Sequence, residues 1–317
     1  MEATSAASFI QRVCHPLLAS AQNQDGGWGF HPASESRVEP ASWALLGLLN
    51  SHSFQGKEEM IARGLRFIRS TQLPDGSWPS TPGEKAGSWV TSLACWALSF
   101  DGSAADPAAA GLNWLCNDWP RDSSRWSRLL RRLSPGRERL PHNDSYRGWG
   151  WTTRTSSWVE PTSFALIALR SAAAGRLPNR AQRRRLLAEA LLHDRMCRGG
   201  GWNCGNSMIY GVPGEPLVIP TVWALLALVE YPQRTENVQS LNWLESGLEN
   251  IHGPGSLALA QTCLESYGRQ WPASAPQLRD FYNNNEFLQS IPVVAWACLA
   301  LERRSDWLGK PSPVNPQ

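Results

Sequence analysis

The chain has 317 residues, 42% hydrophobic and 18% charged, a composition that excludes an intrinsically disordered protein. A net charge of +3 gives no case for a nucleic-acid partner. No stretch approaches the ~18 consecutive apolar residues of a membrane span. The first residues lack a basic segment leading into an apolar one, so no secretory signal is read and the expected location is cytoplasmic.

The 17 tryptophans, 26 glycines and 23 prolines mark an internal repeat. Each unit reads as an amphipathic helix, a Gly/Trp turn, a loop and a more apolar helix. Unit one runs from FIQRVCHPLLASAQ through QDGGWGF to VEPASWALLGLL. Unit two has IARGLRFIRSTQLPDGSW and WVTSLACWALSF. Unit three has AAAGLNWLCN, an arginine-rich insert over about 117–146, RGWGW and VEPTSFALIALRSA. Unit four has RRRLLAEALL, GGGWNCGN and VIPTVWALLALVEY. Units five and six are eroded: VQSLNWLES with LALAQTCLESY, then APQLRDFYNNNEF with IPVVAWACLALER.

The second helix of each pair is apolar nearly all round, which predicts burial on both sides, whereas the first keeps a polar face. Six inner helices inside six outer ones satisfy both patterns. The expected fold is all-α, an α/α (α6/α6) barrel over 1–308, followed by a disordered proline-rich tail over 309–317. An open solenoid is the other arrangement such pairs allow, but its terminal repeats are ordinarily polar caps. At the turns, glycine ends the outer helices and Gln22 and Gln72 satisfy exposed backbone groups. Trp28, Trp78, Trp149 and Trp202 are packing plates between units. Cys95, Cys263 and Cys298 fall in apolar runs and read as core residues; no C-x-x-C occurs among the seven cysteines.

This grammar of Gln, Gly and Trp resembles the prenyltransferase and squalene-cyclase repeat, above all that of the class II terpene cyclases. Three segments carry the resemblance further. RGWGWTTRTSSWVEPTSFALIAL is similar to the cyclase segment leading into the acidic DxDDT motif, with Trp158, Val159, Glu160, Pro161 and Thr162 in its five places. Only the middle acid survives, as Glu160, at the position of the family's proton donor. Trp151 falls where the family has a cavity phenylalanine. GGGWNCGNS resembles the cyclase GGWG-E-x-C-x-S turn, with Cys204 two residues closer to its tryptophan. RDFYNNNEFLQSIP resembles a segment that supplies a cation-stabilising aromatic; Asp280, Phe281 and Tyr282 match directly, while Asn285 and Leu288 replace two later tyrosines.

The resemblance implies an isoprenoid cyclase or isomerase working by acid-initiated carbocation chemistry in an aromatic-lined cavity. Glu160 is then the donor, with Glu39 and Asp280 as further acids. Trp43, Trp151, Trp158, Phe164, Trp223, Phe281, Tyr282, Trp296 and Cys204 are the candidate substrate contacts. Desolvated cation–π contacts are worth ~2 kcal/mol each, so several together matter to a carbocation. Burial keeps Glu160 protonated near neutral pH but also makes it a weak acid. Trp158 and Pro161 replace the flanking acids, and no histidine lies between His142 and His193, so an activated substrate is the easier one.

Glu39 repeats the Val-Glu-Pro context in unit one. Inner helices ~9–10 Å apart place units one and three roughly 17 Å apart across the ring. Side chains leaning inward from there sit about 8 Å apart and couple by roughly 2 kcal/mol. The plain alternative is that Glu-Pro is punctuation, a carboxylate favoured by the positive end of a helix. For the whole chain the second reading is a non-catalytic barrel that binds an isoprenoid or a partner protein. No metal or cofactor is expected: the six histidines lack ligand spacing, and no Asp-rich diphosphate motif, P-loop or nucleophile elbow occurs. The insert's seven arginines, from Arg121 to Arg139, suit either a solvated arm or a basic helix touching an anionic membrane.

Overall fold

Pro40, Pro161, Pro220 and Pro292 stand in the first turns of four apolar helices, where a backbone N–H has no helical acceptor to lose. The computed structural model describes residues 2–54, 56–101, 105–121, 133, 142–143, 145–171, 177–209, 211–271, 273–303 and 306–308. Most of the arginine-rich insert and the tail over 309–317 lie outside these residues.

The inner helices are α3 (Val38–Asn50), α5 (Val90–Leu98), α7 (Val159–Ser171), α9 (Val218–Ala227), α11 (Pro254–Ser266) and α13 (Ile291–Glu302). Each packs against the next, and α13 returns to α3, so the ring is closed and the solenoid is excluded. Every residue of α5 is buried, as expected of a helix apolar on all sides. The outer layer comprises α4 (Glu58–Ser70), α6 (Ala105–Asn117), α8 (Asn179–Asp194), α10 (Thr235–Ser246) and α12 (Ser274–Asn283). Its remaining member is the first segment of the chain: α1 (Glu2–Phe9), a π-helical turn (Ile10–Cys14) and α2 (His15–Ala21). Outer helices α4, α6, α8, α10 and α12 lie on the inner helix that precedes them, and the first segment lies on α13. The ends of the chain therefore close the ring together. A two-stranded hairpin, β1 (Met208–Ile209) and β2 (Val212–Pro213), sits in the loop before α9.

The turn tryptophans bear out the packing-plate reading. The indole N–H groups of Trp28, Trp78, Trp149 and Trp202 donate to the carbonyls of Leu18, Ile68, Leu115 and Leu192, at 2.6–2.9 Å. Glycine supplies the space: a Cβ on Gly64 would lie 2.7 Å from the Trp28 ring, and one on Gly111 2.7 Å from the Trp78 ring. Gln22 donates both to Gly26 O in its own turn and to Met60 O in the next outer helix, and Gln72 does the same to Gly76 O and Pro107 O. Gly26 and Gly76 both adopt φ +89°, the left-handed geometry that glycine tolerates best. At the closing seam, a Cβ on Gly47 would come within 3.2 Å of the Ala295 backbone, so small residues let α3 and α13 approach.

Candidate active site

The outer-helix turns and the starts of the inner helices share one end of the barrel, the mouth. In register with the helix-start prolines, Glu39, Trp89, Glu160 and Ile219 occupy one position in units one to four. All four are half-buried. Helix α7 begins at Val159, so Glu160 is its second residue and Pro161 its third.

Two loops fix the surroundings of Glu160. The Val159 N–H donates to Cys204 O at 3.3 Å, which sets the loop after Trp202 against the first turn of α7. That loop is held by the buried Arg195, donating to Gly205 O at 2.7 Å, and by Asn203 Oδ1, which accepts from the Gly205 and Asn206 amides. Cys204 is exposed, and after burial it is the Glu160 charge that raises its thiol pKa. On the other side, the Trp89 N–H donates to Trp151 O at 3.1 Å, and the two indoles meet edge to face at 5.0 Å. Thr162 Oγ1 accepts the Trp149 N–H, as Thr91 does for Trp78 and Thr221 for Trp202. The last place of the acidic-motif alignment is thus filled by a repeat feature.

Burial raises the Glu160 carboxyl above its ordinary value, with no opposing cation. Burial pushes Glu39 up to about 7, against a weaker pull from Arg37. Among the described residues neither carboxylate has a hydrogen bond or ion pair, and neither shifts the other. The mutual tuning expected between them is therefore not found. Burial weakens both acids, and among the described residues no hydrogen bond supports either carboxylate.

Where an aromatic-lined cavity is expected, rings of the described residues meet across the barrel axis. Trp43 stacks on Trp223 at 5.3 Å and touches Trp96, Trp296 and Phe164 at 5.8, 5.5 and 6.0 Å. These partners come from four other inner helices, so the Trp43 indole lies across the axis. Phe164 meets Trp223 at 4.8 Å and Trp89 at 5.2 Å, joining this cluster to the mouth. The opposite end is closed by the turn Asp306–Leu308. There Trp307 stacks on Trp96 at 5.0 Å and accepts its indole N–H on the backbone carbonyl. The buried Arg170 holds Leu308 O with Nε, and donates to Leu226 O and Ala227 O at the end of α9, where a cation suits the helix dipole.

Of the residues singled out in the sequence, Glu39, Glu160, Trp151, Phe164, Trp43, Trp223 and Trp296 belong to the mouth or the ring cluster. Trp158 is 37% exposed beside it. Asp280, Phe281 and Tyr282 are not brought there. Asp280 is exposed on outer helix α12, and Tyr282 packs in the outer layer on Phe9 and Phe287, at 5.4 and 5.7 Å. The sequence reading missed Trp89, Trp96 and Trp307. Trp89 was detectable, because WVTS aligns with EPTS in the repeat. No group of His, Cys, Asp and Glu fit to hold a metal is found among the described residues.

No protein-family model matches the chain. Over 77 residues, 24% of its length, it is 36% identical to the drimenyl diphosphate synthase of Streptantibioticus cattleyicolor, of which this covers 14%. It is 32% identical over 85 residues to human lanosterol synthase, covering 11% of that enzyme. The type II terpene cyclase MstE from Scytonema, in complex with geranylgeranyl dihydroxybenzoate, superposes with a TM-score of 0.63 at 12% identity, over 96% of this chain and 99% of that one. The described residues form one barrel with the fold of the type II terpene cyclase MstE, and short segments of the chain are similar to drimenyl diphosphate and lanosterol synthases. The barrel itself is shared more widely: endoglucanase Cel10 of Klebsiella pneumoniae superposes at a TM-score of 0.58 with 14% identity, over 93% of this chain and 100% of its own. The similarity to terpene cyclases therefore rests on the sequence matches, and the structural likeness shows the fold. The matched segments are small parts of the curated relatives, so their activities do not transfer with the match.

Proposed function

We propose that the barrel binds an isoprenoid at its mouth and that Glu160 acts there as the proton donor to an epoxide or other activated group. The observation that carries this reading is an acid weakened by burial on the first turn of α7, set beside the Cys204 loop at the same end of the barrel as the Trp89, Trp151 and Phe164 rings. A cation formed beside those rings gains cation–π stabilisation of ~2 kcal/mol per desolvated contact. An acid with no group to stabilise its conjugate base is poorly suited to an unactivated alkene, hence the preference for an epoxide. That MstE is a single barrel with a geranylgeranyl ligand supports an isoprenoid and the sufficiency of one such domain. Glu39, across Trp89, is the second acid of the mouth; titrating at about 7, it takes in its ionised form the proton lost when the cation is quenched, and solvent exchange then releases that proton and reprotonates Glu160. The Trp158 side chain and the arginine-rich insert are the parts we assign to peripheral contact with a lipid surface.

The filled axis favours a second reading, binding without turnover. The test is incubation of the purified protein with oxidosqualene, squalene and a geranylgeranyl-substituted phenol, with extraction and mass spectrometry. The expected result is conversion of the epoxide, reduced at least a hundredfold in Glu160→Gln. Unchanged conversion in that variant removes the donor assignment, and retention of the isoprenoid without any product establishes the binding reading.

A further inference from the structure

The glycine turn of unit four departs from the repeat at one position, and a pocket lies there. In unit two the turn reads Asp75-Gly76-Ser77-Trp78; in unit four it reads Gly199-Gly200-Gly201-Trp202. A Cβ on Gly76 would meet Ala110 O at 2.8 Å and one on Gly200 would meet Gln239 O at 3.0 Å, so the two turns sit alike on α6 and α10. One helical turn further along, Asn-Trp-Leu in both helices puts Trp114 and Trp243 in the same place. Asp75 serves both the turn and the indole. Its Oδ1 accepts from the Ser77 amide and hydroxyl at 3.0 and 2.6 Å, and its Oδ2 accepts the Trp114 indole N–H at 3.1 Å.

Unit four keeps the indole and drops the acid. The Gly201 amide donates to Ser240 Oγ at 2.8 Å, so the turn is closed by another route. The indole N–H of Trp243 finds no acceptor among the described residues. Beside it is a pocket of about 320 Å³, lined by Gly199 and Trp243 together with Arg198, Pro213, Glu215 and Pro216. That volume is within the range of small-molecule sites, roughly 300–1,000 Å³. Arg198 and Glu215 are exposed, and neither is in an ion pair among the described residues. The lining therefore offers one cation, one anion, one indole donor and the apolar surface of two prolines and a ring.

We propose that this pocket binds a free α-amino acid with an apolar side chain, its carboxylate taking the place that Asp75 fills in unit two. The ligand carboxylate accepts from the Trp243 indole and the Arg198 guanidinium, a charge-assisted arrangement. Glu215 receives the ammonium group, and the side chain packs on Trp243, Pro213 and Pro216. A bare carboxylate is repelled by Glu215 and a bare amine by Arg198, whereas a zwitterion satisfies both. The site stands whether or not the barrel turns over an isoprenoid.

Isothermal titration calorimetry of the full chain with L-leucine and L-phenylalanine tests this. Isocaproate and isopentylamine serve as the leucine analogues that lack the ammonium or the carboxylate. At least one amino acid is expected to bind, and leucine at least tenfold more tightly than either analogue. Gly199→Asp restores the carboxylate of the repeat and should weaken amino-acid binding at least tenfold, while Gly199→Ala changes it less than threefold. Position 199 has open space for a Cβ and no left-handed φ, so both variants keep the fold, checked by an unchanged melting temperature. Trp243→Phe, which keeps a ring as Phe67 does in unit one, should weaken binding several-fold by removing the N–H alone. In Glu215→Gln, leucine should lose its advantage over isocaproate. Equal affinity in Gly199→Asp, equal affinity of leucine and isocaproate in the parent protein, or no binding of either amino acid at millimolar concentration overturns the proposal.

Discussion

Glu39 shows how strongly burial acts on one side chain. Its place near a helix N-terminus should favour the carboxylate by a few tenths of a kcal/mol up to about 1 kcal/mol. Desolvation wins, and the carboxyl titrates at about 7. Its folded pKa lies above its unfolded one, so the stability it contributes is fully present below about pH 4.5 and is lost as pH rises through 7. Glu39→Gln should therefore be more stable than the parent above pH 7, by on the order of 2–3 kcal/mol, and indistinguishable from it near pH 4. Urea titrations of both proteins across that range measure the difference. His15 acts in the opposite sense. Burial depresses it to about 4, so protonation opposes folding as pH falls from 6.5 towards 4, and only comparison of variants separates the two slopes. Cys204 offers a cleaner check at the same scale. It is exposed while the other six cysteines are buried, so a maleimide should label one thiol in the native protein and all seven in denaturant. Protection of Cys204 by a bound isoprenoid would place that ligand at the mouth.

Between elements, the recurring contact is a turn tryptophan of one unit against a glycine of the next outer helix. Gly64→Ala and Gly111→Ala each force a methyl group to within 2.7 Å of a fully buried indole that is also hydrogen-bonded to backbone. Overpacking of this kind costs about 1–3 kcal/mol, so each variant should melt lower, with no change in helix content by circular dichroism. A neutral result would mean that the turns are looser than their hydrogen bonds imply. The seam between first and last units is held differently. The Ser51 hydroxyl, after α3, donates to Glu302 Oε1 at the end of α13 at 2.5 Å and lies 3.2 Å from His15 Nε2. These groups come from three separate segments of the chain, so the contact forms only when the ring closes.

For the whole molecule, the filled axis decides what the barrel can hold. Trp43 and Trp307 are buried ring plugs, the first on the axis and the second at the closed end. Truncating either to alanine removes an indole from a tightly packed site, at a cost of about 3–5 kcal/mol measured by chemical denaturation. Trp43→Ala should also create a dry, aromatic-lined space continuous with the mouth, and so increase retention of an isoprenoid. Unchanged retention would show that the ligand stays above the rings.

The sequence by itself determined the repeat, the inner and outer rings, the structural turn tryptophans and the similarity to class II terpene cyclases. Each follows from local periodicity or from short motifs, and helices apolar all round have few places to go except a closed core. It also located Glu160 and Glu39 correctly at the helix starts, because Glu-Pro fixes a position along the chain. Only the tertiary structure decided that the rings meet across the axis, since Trp43 meets them through side-chain directions from four other helices at once. It likewise moved Tyr282 to the outer layer and brought Trp307 back into the barrel. Residue spacing carries no record of which neighbour a distant side chain reaches once the ring has closed.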